Sequence, residues 1–176
     1  RSDAPMVQMT ADTAASRQRV GDLRSAAIES ILEVTADILY VTDVDALLDK
    51  IARTVSETFG LRCVSIGIAD LESGDLCVKA THGYPPEVDG MIRKVRYSED
   101  RMTKDLRPEF KVGRNVYYVP AGSYEIENED EMLFVIHPER MDNARRFPNE
   151  WHELDFVDFL MYEKDGSLMG YLEIDE

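Results

Sequence analysis

The sequence predicts an α+β domain, an antiparallel sheet with its helices gathered on one face. Three observations predict it. Two apolar stripes of helical period open the chain. From residue 63 the period changes to two, the pattern of a strand with one face toward a core. The strands that follow are joined by turn clusters, which pairs neighbours antiparallel and leaves the helices to one side.

Residues 1–15 are small and polar and read as a flexible N-terminus. Residues 16–40 read as one long signalling or dimerisation helix. Leu23, Ala27, Ile31, Val34 and Ile38 recur at three- and four-residue steps, widened by Ile28, Leu32 and Leu39. Leu23, Ala27, Ile31 and Val34 suit a parallel dimer seam, although their steps are not strict heptads. Packing on its own sheet is the alternative for the same stripe.

Residues 41–176 read as the sheet-bearing domain. Its helix runs from about 43 to 59, with Thr42 as cap, and buries Val44, Leu47, Leu48, Ile51, Val55 and Phe59. Gly60 sits where a left-handed residue ends a helix. Cys63–Ala69 and Leu76–Thr81 form a hairpin around the Glu72–Asp75 turn, which places Cys77 opposite Asp70 and apart from Cys63. Ile92, Val95 and Tyr97 read as a short strand and residues 103–106 as a single helical turn. Residues 115–119 have the aromatic and β-branched content of a strand. Residues 120–150 are an irregular acidic loop whose only apolar island is 133–136.

The last two strands, Phe156–Tyr162 and Leu168–Ile174, turn at Asp165-Gly166. That register sets Leu160 opposite Tyr171, Tyr162 opposite Met169 and Asp158 opposite Glu173. Like charges placed opposite each other destabilise a sheet. The face with Val157, Phe159, Met161, Leu172 and Ile174 is the helix-packed one. The other face is apolar too, framed by carboxylates, so it also needs cover. Loop 120–150 is expected to supply that cover, with a pocket beneath it.

With 35 acidic and 20 basic residues the formal net charge is −15. Nucleic acid and anionic membrane surfaces attract the opposite charge, so neither is expected as a partner. Two cysteines in 176 residues make no disulfide scaffold. Two cysteines and three histidines, His82, His137 and His152, lack the spacing of a zinc site. No phosphate loop, nucleophile elbow or histidine-centred triad appears, so the domain is not expected to be an enzyme. No apolar run reaches the ~20 residues of a spanning helix, and no signal pattern opens the chain, so a cytoplasmic location is expected.

Three stretches bear a family likeness. They are 44–59 running into Leu61-Arg62-Cys63-Val64-Ser65-Ile66-Gly67-Ile68; Leu76-Cys77-Val78-Lys79-Ala80-Thr81-His82-Gly83-Tyr84-Pro85; and Trp151-His152-Glu153-Leu154-Asp155 with residues 165–176. In these the chain resembles a GAF domain, of the kind found in sensor histidine kinases and diguanylate cyclases. The resemblance covers roughly residues 40–176. It implies a PAS-related antiparallel sheet of five to six strands, helices that dimerise on one face, and a small-molecule pocket under loops on the other. It also implies a further C-terminal helix, which this sequence lacks.

The function expected on that basis is regulatory. A cytoplasmic two-component or cyclase protein would sense a small molecule, or relay a signal, through a dimeric helix. A ligand-free structural dimerisation module is the alternative. The pocket candidates are Trp151 and His152, an aromatic and a hydrogen-bonding group side by side. Tyr117, Leu160 and Tyr162, with Met169 and Tyr171, join them from the second sheet face. The cofactor is unknown. Haem would need an axial histidine and a large apolar cavity. A cyclic nucleotide is matched by only half of its motif, at residues 171–176.

Overall fold

Helix α1 spans Pro5–Ile38 and helix α2 Val44–Phe59. Strands β1 (Cys63–Ala69), β2 (Leu76–His82), β3 (Arg96–Tyr97), β4 (Val116–Val119), β5 (Phe156–Tyr162) and β6 (Leu168–Asp175) follow. Two short helices, α3 (Pro86–Ile92) and α4 (Glu99–Thr103), flank β3. This computed structural model describes residues 5–38 and 43–175, and the side chains of α1 over 18–36. The chain divides at residue 42 into two units, α1 in one and every other element in the second.

Helix α1 begins at Pro5, inside the segment read as flexible, with the fixed proline φ suited to a first helical position. Leu23 and Ile31 are exposed, as are Ile28 and Leu32, while Ala27 and Val34 are half-buried. Leu39 and the side chain of Ile38 lie outside the described residues.

Thr42 also lies outside them, and Asp43 caps α2. Its carboxylate accepts from the Asp45 N–H at 3.1 Å and the Ala46 N–H at 3.2 Å. Gly60 ends the helix at φ 68°, a conformation that disfavours a side chain. The inner stripe of α2, Leu48, Ile51, Ala52 and Val55, packs on Val64, Ile66 and Ala80 of the hairpin, with Met161 and Leu172 beyond. Burying one such aliphatic side chain contributes about 1.5–3 kcal/mol, which is what holds helix to sheet. Phe59, expected inside, is half exposed.

The sheet has six strands in the order β3-β2-β1-β6-β5-β4, and each adjacent pair is antiparallel. In the first hairpin the turn starts earlier than the sequence suggested. The Asp70 carboxylate accepts from the Glu72 and Ser73 N–H groups at 3.0 Å each, so Cys77 lies opposite Ile68 rather than Asp70. Cys63 and Cys77 are buried and free. Ile92 ends helix α3, begun at the Pro85-Pro86 step, and only Arg96–Tyr97 remain as strand. The helical turn expected at 103–106 is α4, set earlier because Ser98 caps it through the Arg101 N–H.

In the last hairpin Leu160 faces Tyr171 and Asp158 faces Glu173, as the turn predicts. A bulge after Met161 then brings Tyr162 opposite Leu168 instead of Met169. Alternation sends Leu172 and Ile174 toward α2, and Tyr171, Glu173 and Asp175 to the other face. Tyr171 is fully buried there against bare backbone. A Cβ on Gly67 would come within 2.0 Å of its ring. The second face is covered, as its apolar character required. Leu133, Phe134 and Ile136 from the acidic loop, and Ile92 from α3, close over Cys63, Val78, Tyr84 and Leu76.

Candidate functional site

A cavity of about 100 Å³ lies between β6 and the covering loop. Its floor is the outward row of β6, Glu173 and Asp175. Tyr124, Phe134 and Phe156 wall it with Tyr97, and Met102, Ile126, Val135 and Leu154 complete the apolar lining. The Tyr124 and Phe156 rings meet edge to face at 5.2 Å, and the Tyr124 hydroxyl donates to the Leu154 carbonyl at 2.9 Å. Phe134 reaches the cavity from a 3₁₀ turn, Glu131–Phe134, and sits edge-on to Tyr84 at 6.3 Å.

One rim is charged and internally matched. Glu131 accepts from Arg101 and Lys104, each at 3.3 Å, and from the Glu127 N–H at 2.8 Å. Lys104 also reaches Glu127 at 3.0 Å. Burial would raise the Glu131 carboxyl. The Glu127 N–H and Lys104 outweigh it and hold the group below the usual range.

The opposite rim hangs on Asp155, which is 1% exposed. Arg145 grips it with two nitrogens at 2.5 and 2.6 Å. The Tyr118 hydroxyl at 2.9 Å and the Ala121 and His152 N–H groups at 2.8 Å complete its shell. Burial alone would raise this carboxyl. Arg145 and the backbone donors pull it below its ordinary value instead. A single side chain thus ties β4, the turn after it, and the 145–152 segment together.

The floor is different. Asp158, 1% exposed, stands directly across from Glu173, and Glu173 is hydrogen-bonded to Asp158 and Asp175. Asp175 accepts a hydrogen bond from Tyr84. Burial pushes all three carboxyls up, Asp175 to about 7 despite the Tyr84 bond. The same face carries three buried polar atoms without a hydrogen-bond partner: Ser65 Oγ, Asp158 Oδ1 and the Tyr171 hydroxyl. Ser65 flanks Glu173 on β1, Asp158 flanks it on β5, and Tyr171 precedes it on β6. Beside Asp175 the Cys63 thiol is pushed up to about 12, first by burial and then by that carboxylate, so it is not a nucleophile at neutral pH.

A second hollow, about 500 Å³, opens on the other side of Glu153. Arg62, Arg140, Arg145 and Arg146 line it with Trp151 and His152. The Trp151 ring lies 6.1 Å from Tyr118, and its buried Nε1 has no hydrogen-bond partner. The His152 ring accepts the Leu154 N–H through Nδ1 at 3.1 Å.

The sequence candidates are therefore dispersed. Trp151 and His152 line the arginine cleft. Leu160 and Tyr171 are buried in the core beside the cavity, with Tyr117 packed against them. Tyr162 and Met169 are largely exposed at the hairpin end, where the bulge separates them. None of the seven lines the smaller cavity. The residues missed were Glu173, Asp175 and the aromatic wall. Their one sequence signal was the Asp158–Glu173 pairing, an unfavourable juxtaposition that a sheet keeps only with something to offset it. Among the described residues no group of histidine, cysteine or carboxylate side chains has the arrangement of a metal site, and no helix is long and apolar enough to cross a membrane.

No protein-family model matches the sequence, and no curated protein matches it. Solved structures do match in fold. The GAF domain of a phosphoenolpyruvate-protein phosphotransferase from Coxiella burnetii aligns at TM-score 0.55 and 15% identity, over 88% of this chain and 77% of that one. The A. aeolicus nlh2 GAF domain in an inactive state aligns at 0.54 and 14%, over 88% and 81%. A free methionine-R-sulfoxide reductase from Neisseria meningitidis, in complex with its substrate, aligns at 0.50 and 15%, over 86% and 75%. Identities this low establish architecture alone: the chain has the GAF fold, a six-stranded antiparallel sheet with helices.

Proposed function

We propose that this GAF-fold domain is the regulatory, non-catalytic part of a cytoplasmic signal-transduction protein, a histidine kinase or diguanylate cyclase, and senses a small molecule in the β6 cavity. The observation that carries the reading is the cavity itself, an aromatic and carboxylate-lined space held under a loop cover of short 3₁₀ turns. A cover built of such turns has few backbone bonds to break, so an occupant that prefers one arrangement of it shifts the whole segment. The output is a dimer of α1 through Leu23, Ala27, Ile31 and Val34.

Native mass spectrometry of the purified chain, followed by denaturing mass measurement, tests both parts. A dimer carrying a releasable small molecule is the expected result. A bare monomer, unaffected by any metabolite in a thermal-shift screen, overturns the reading. The exposed apolar residues of α1, Leu23 and Ile31 among them, favour a second reading, a structural dimerisation module without a ligand. A stable dimer with an empty cavity, indifferent to the same screen, would select it.

A further inference from the structure

We infer that the occupant of the β6 cavity is a compact organic cation, an alkylammonium whose nitrogen bonds Glu173 and Asp175 and whose carbon body rests on the aromatic wall. The inference rests on the sensor reading above and names the ligand class for that site.

Charge matching carries the first step. The basic groups at the cavity, Arg101 and Lys104, are already held by Glu131 and Glu127. Asp155 has Arg145, while the Glu153 carboxylate accepts from the His137 backbone N–H, which carries no charge. That leaves Glu173 and Asp175 on the floor, with Asp158 behind them and Glu153 at the edge. Among the described residues no basic side chain forms an ion pair with any of the four. Buried carboxylates without a counter-charge are costly, and removing such charge from water costs several kcal/mol even after relaxation.

The second step is independent of charge. Asp158, Ser65 and Tyr171 are each 1% exposed or less, and each keeps a polar atom without a partner on the face that floors the cavity. Sheet interiors rarely tolerate one such atom, and here three surround a single carboxylate. Two of the three can accept a proton-bearing donor as well as give one, and Asp158 adds a carboxylate oxygen. These three atoms lie behind the floor and do not line the cavity, so they leave Glu173 short of partners from below; an ammonium group above meets Glu173 and Asp175 with up to three N–H donors and a full positive charge.

The walls exclude the main rivals. An inorganic cation would want several oxygens converging on one point, and among the described residues no group of carboxylates has that arrangement, while Tyr97, Tyr124, Phe134 and Phe156 take up much of the wall. Aromatic faces stabilise an organic cation and its methylene groups. An anion would meet the same carboxylates at close range and be repelled. The volume, about 100 Å³, limits the ligand to a few carbon atoms.

The test uses the whole chain and three size-matched probes: n-butylammonium, n-butanol and butyrate. Isothermal titration and thermal midpoint are read at about pH 8, above the Asp175 carboxyl at about 7. Butylammonium alone is expected to bind, with proton release that scales with buffer ionisation enthalpy. Glu173→Gln and, separately, Asp175→Asn should each weaken it at least about tenfold, while Arg146→Ala leaves it unchanged. Either carboxamide variant suffices if the other fails to fold. Binding of butanol or butyrate in place of butylammonium overturns the cation assignment and leaves the sensor reading standing. Silence from all three probes, with methylammonium and 1,4-diaminobutane equally silent, also overturns the assignment. The sensor reading would then stand or fall on the mass measurement above.

Discussion

The cavity over β6 and the arginine cleft meet at Glu153 and differ in how their charges are settled. In the cleft, apart from Arg145 with its buried Asp155, the close charge pairs have solvent nearby. Arg146, 78% exposed, pairs with Glu150, and Arg140 lies near Glu139 at 3.9 Å. In the cavity the carboxylates are buried and share protons with one another instead. Water screens the first set more than the second, so a charge in the cavity has more energetic weight than one in the cleft. The larger hollow is therefore the weaker candidate for a selective site. Selectivity comes from groups that lose something when the wrong occupant enters, and exposed arginines lose little.

The largest expected effect strikes the wall between the two. Asp155→Ala leaves Arg145, the Tyr118 hydroxyl and two N–H groups without their acceptor. Urea denaturation should show a loss of about 3–5 kcal/mol. A loss under ~1 kcal/mol would mean that the rims are held by packing alone.

The next effect belongs to the cavity and has an unusual sign. The Asp175 carboxyl is raised from 3.8 to about 7, by burial first and by Glu153, with Tyr84, Glu173 and Cys63 also facing it. The folded state therefore holds more protons than the unfolded state between those values. This contribution is complete below pH ~4 and is lost as pH rises through ~7, a fall on the order of 3–4 kcal/mol. Asp155 and Glu131, both depressed, act oppositely and only at the acid end. Subtracting the Asp175→Asn stability curve from that of the parent isolates the cavity. A difference that rises with pH across the same window would contradict the assignment.

A smaller effect probes the packing beneath the floor. Gly67→Ala drives a methyl into the Tyr171 ring and should cost about 1–3 kcal/mol. Tyr171→Phe removes a hydroxyl without a partner and should be neutral or slightly stabilising. If both changes were equally harmful, the Tyr171 hydroxyl would have a partner after all.

The smallest effects belong to the cleft. Arg140→Ala and Arg146→Ala should each leave stability almost unchanged, because both side chains are more than half exposed. Thermal midpoints at low and high salt would check this.

Most of the sheet was legible from alternation and turns. The two hairpins and α2 have strong periods and terminal signals, Gly60 and Asp165-Gly166 among them. Several misreadings share one cause, competition from local polar groups. Asp70 draws two backbone N–H groups into its own turn and shifts the register of Cys77. Asp43 captures the start of α2. The two prolines at 85 and 86 begin a helix that takes in Ile92, which read as strand, and Ser98 starts α4 ahead of the turn expected at 103–106. The candidate site was harder to read because its walls are far apart in sequence. Tyr97, Tyr124, Phe134 and Phe156 belong to four segments without common periodicity, and only closure of the loop brings them together. Trp151 and His152 drew attention as an adjacent pair. Adjacency along a chain says little about which hollow a side chain enters.

The position of β6 also bears on how the chain is born. Ribosomal synthesis delivers β1, β2 and β3 first, and β1 then waits with one edge unpaired while residues 98–167 emerge. A nascent half-sheet in that state offers its open edge to any neighbouring chain on the same message. Delivery of residues 168–175 closes that window and, in the same step, brings Glu173 and Asp175 into place, so the cavity floor is laid only when the sheet is completed.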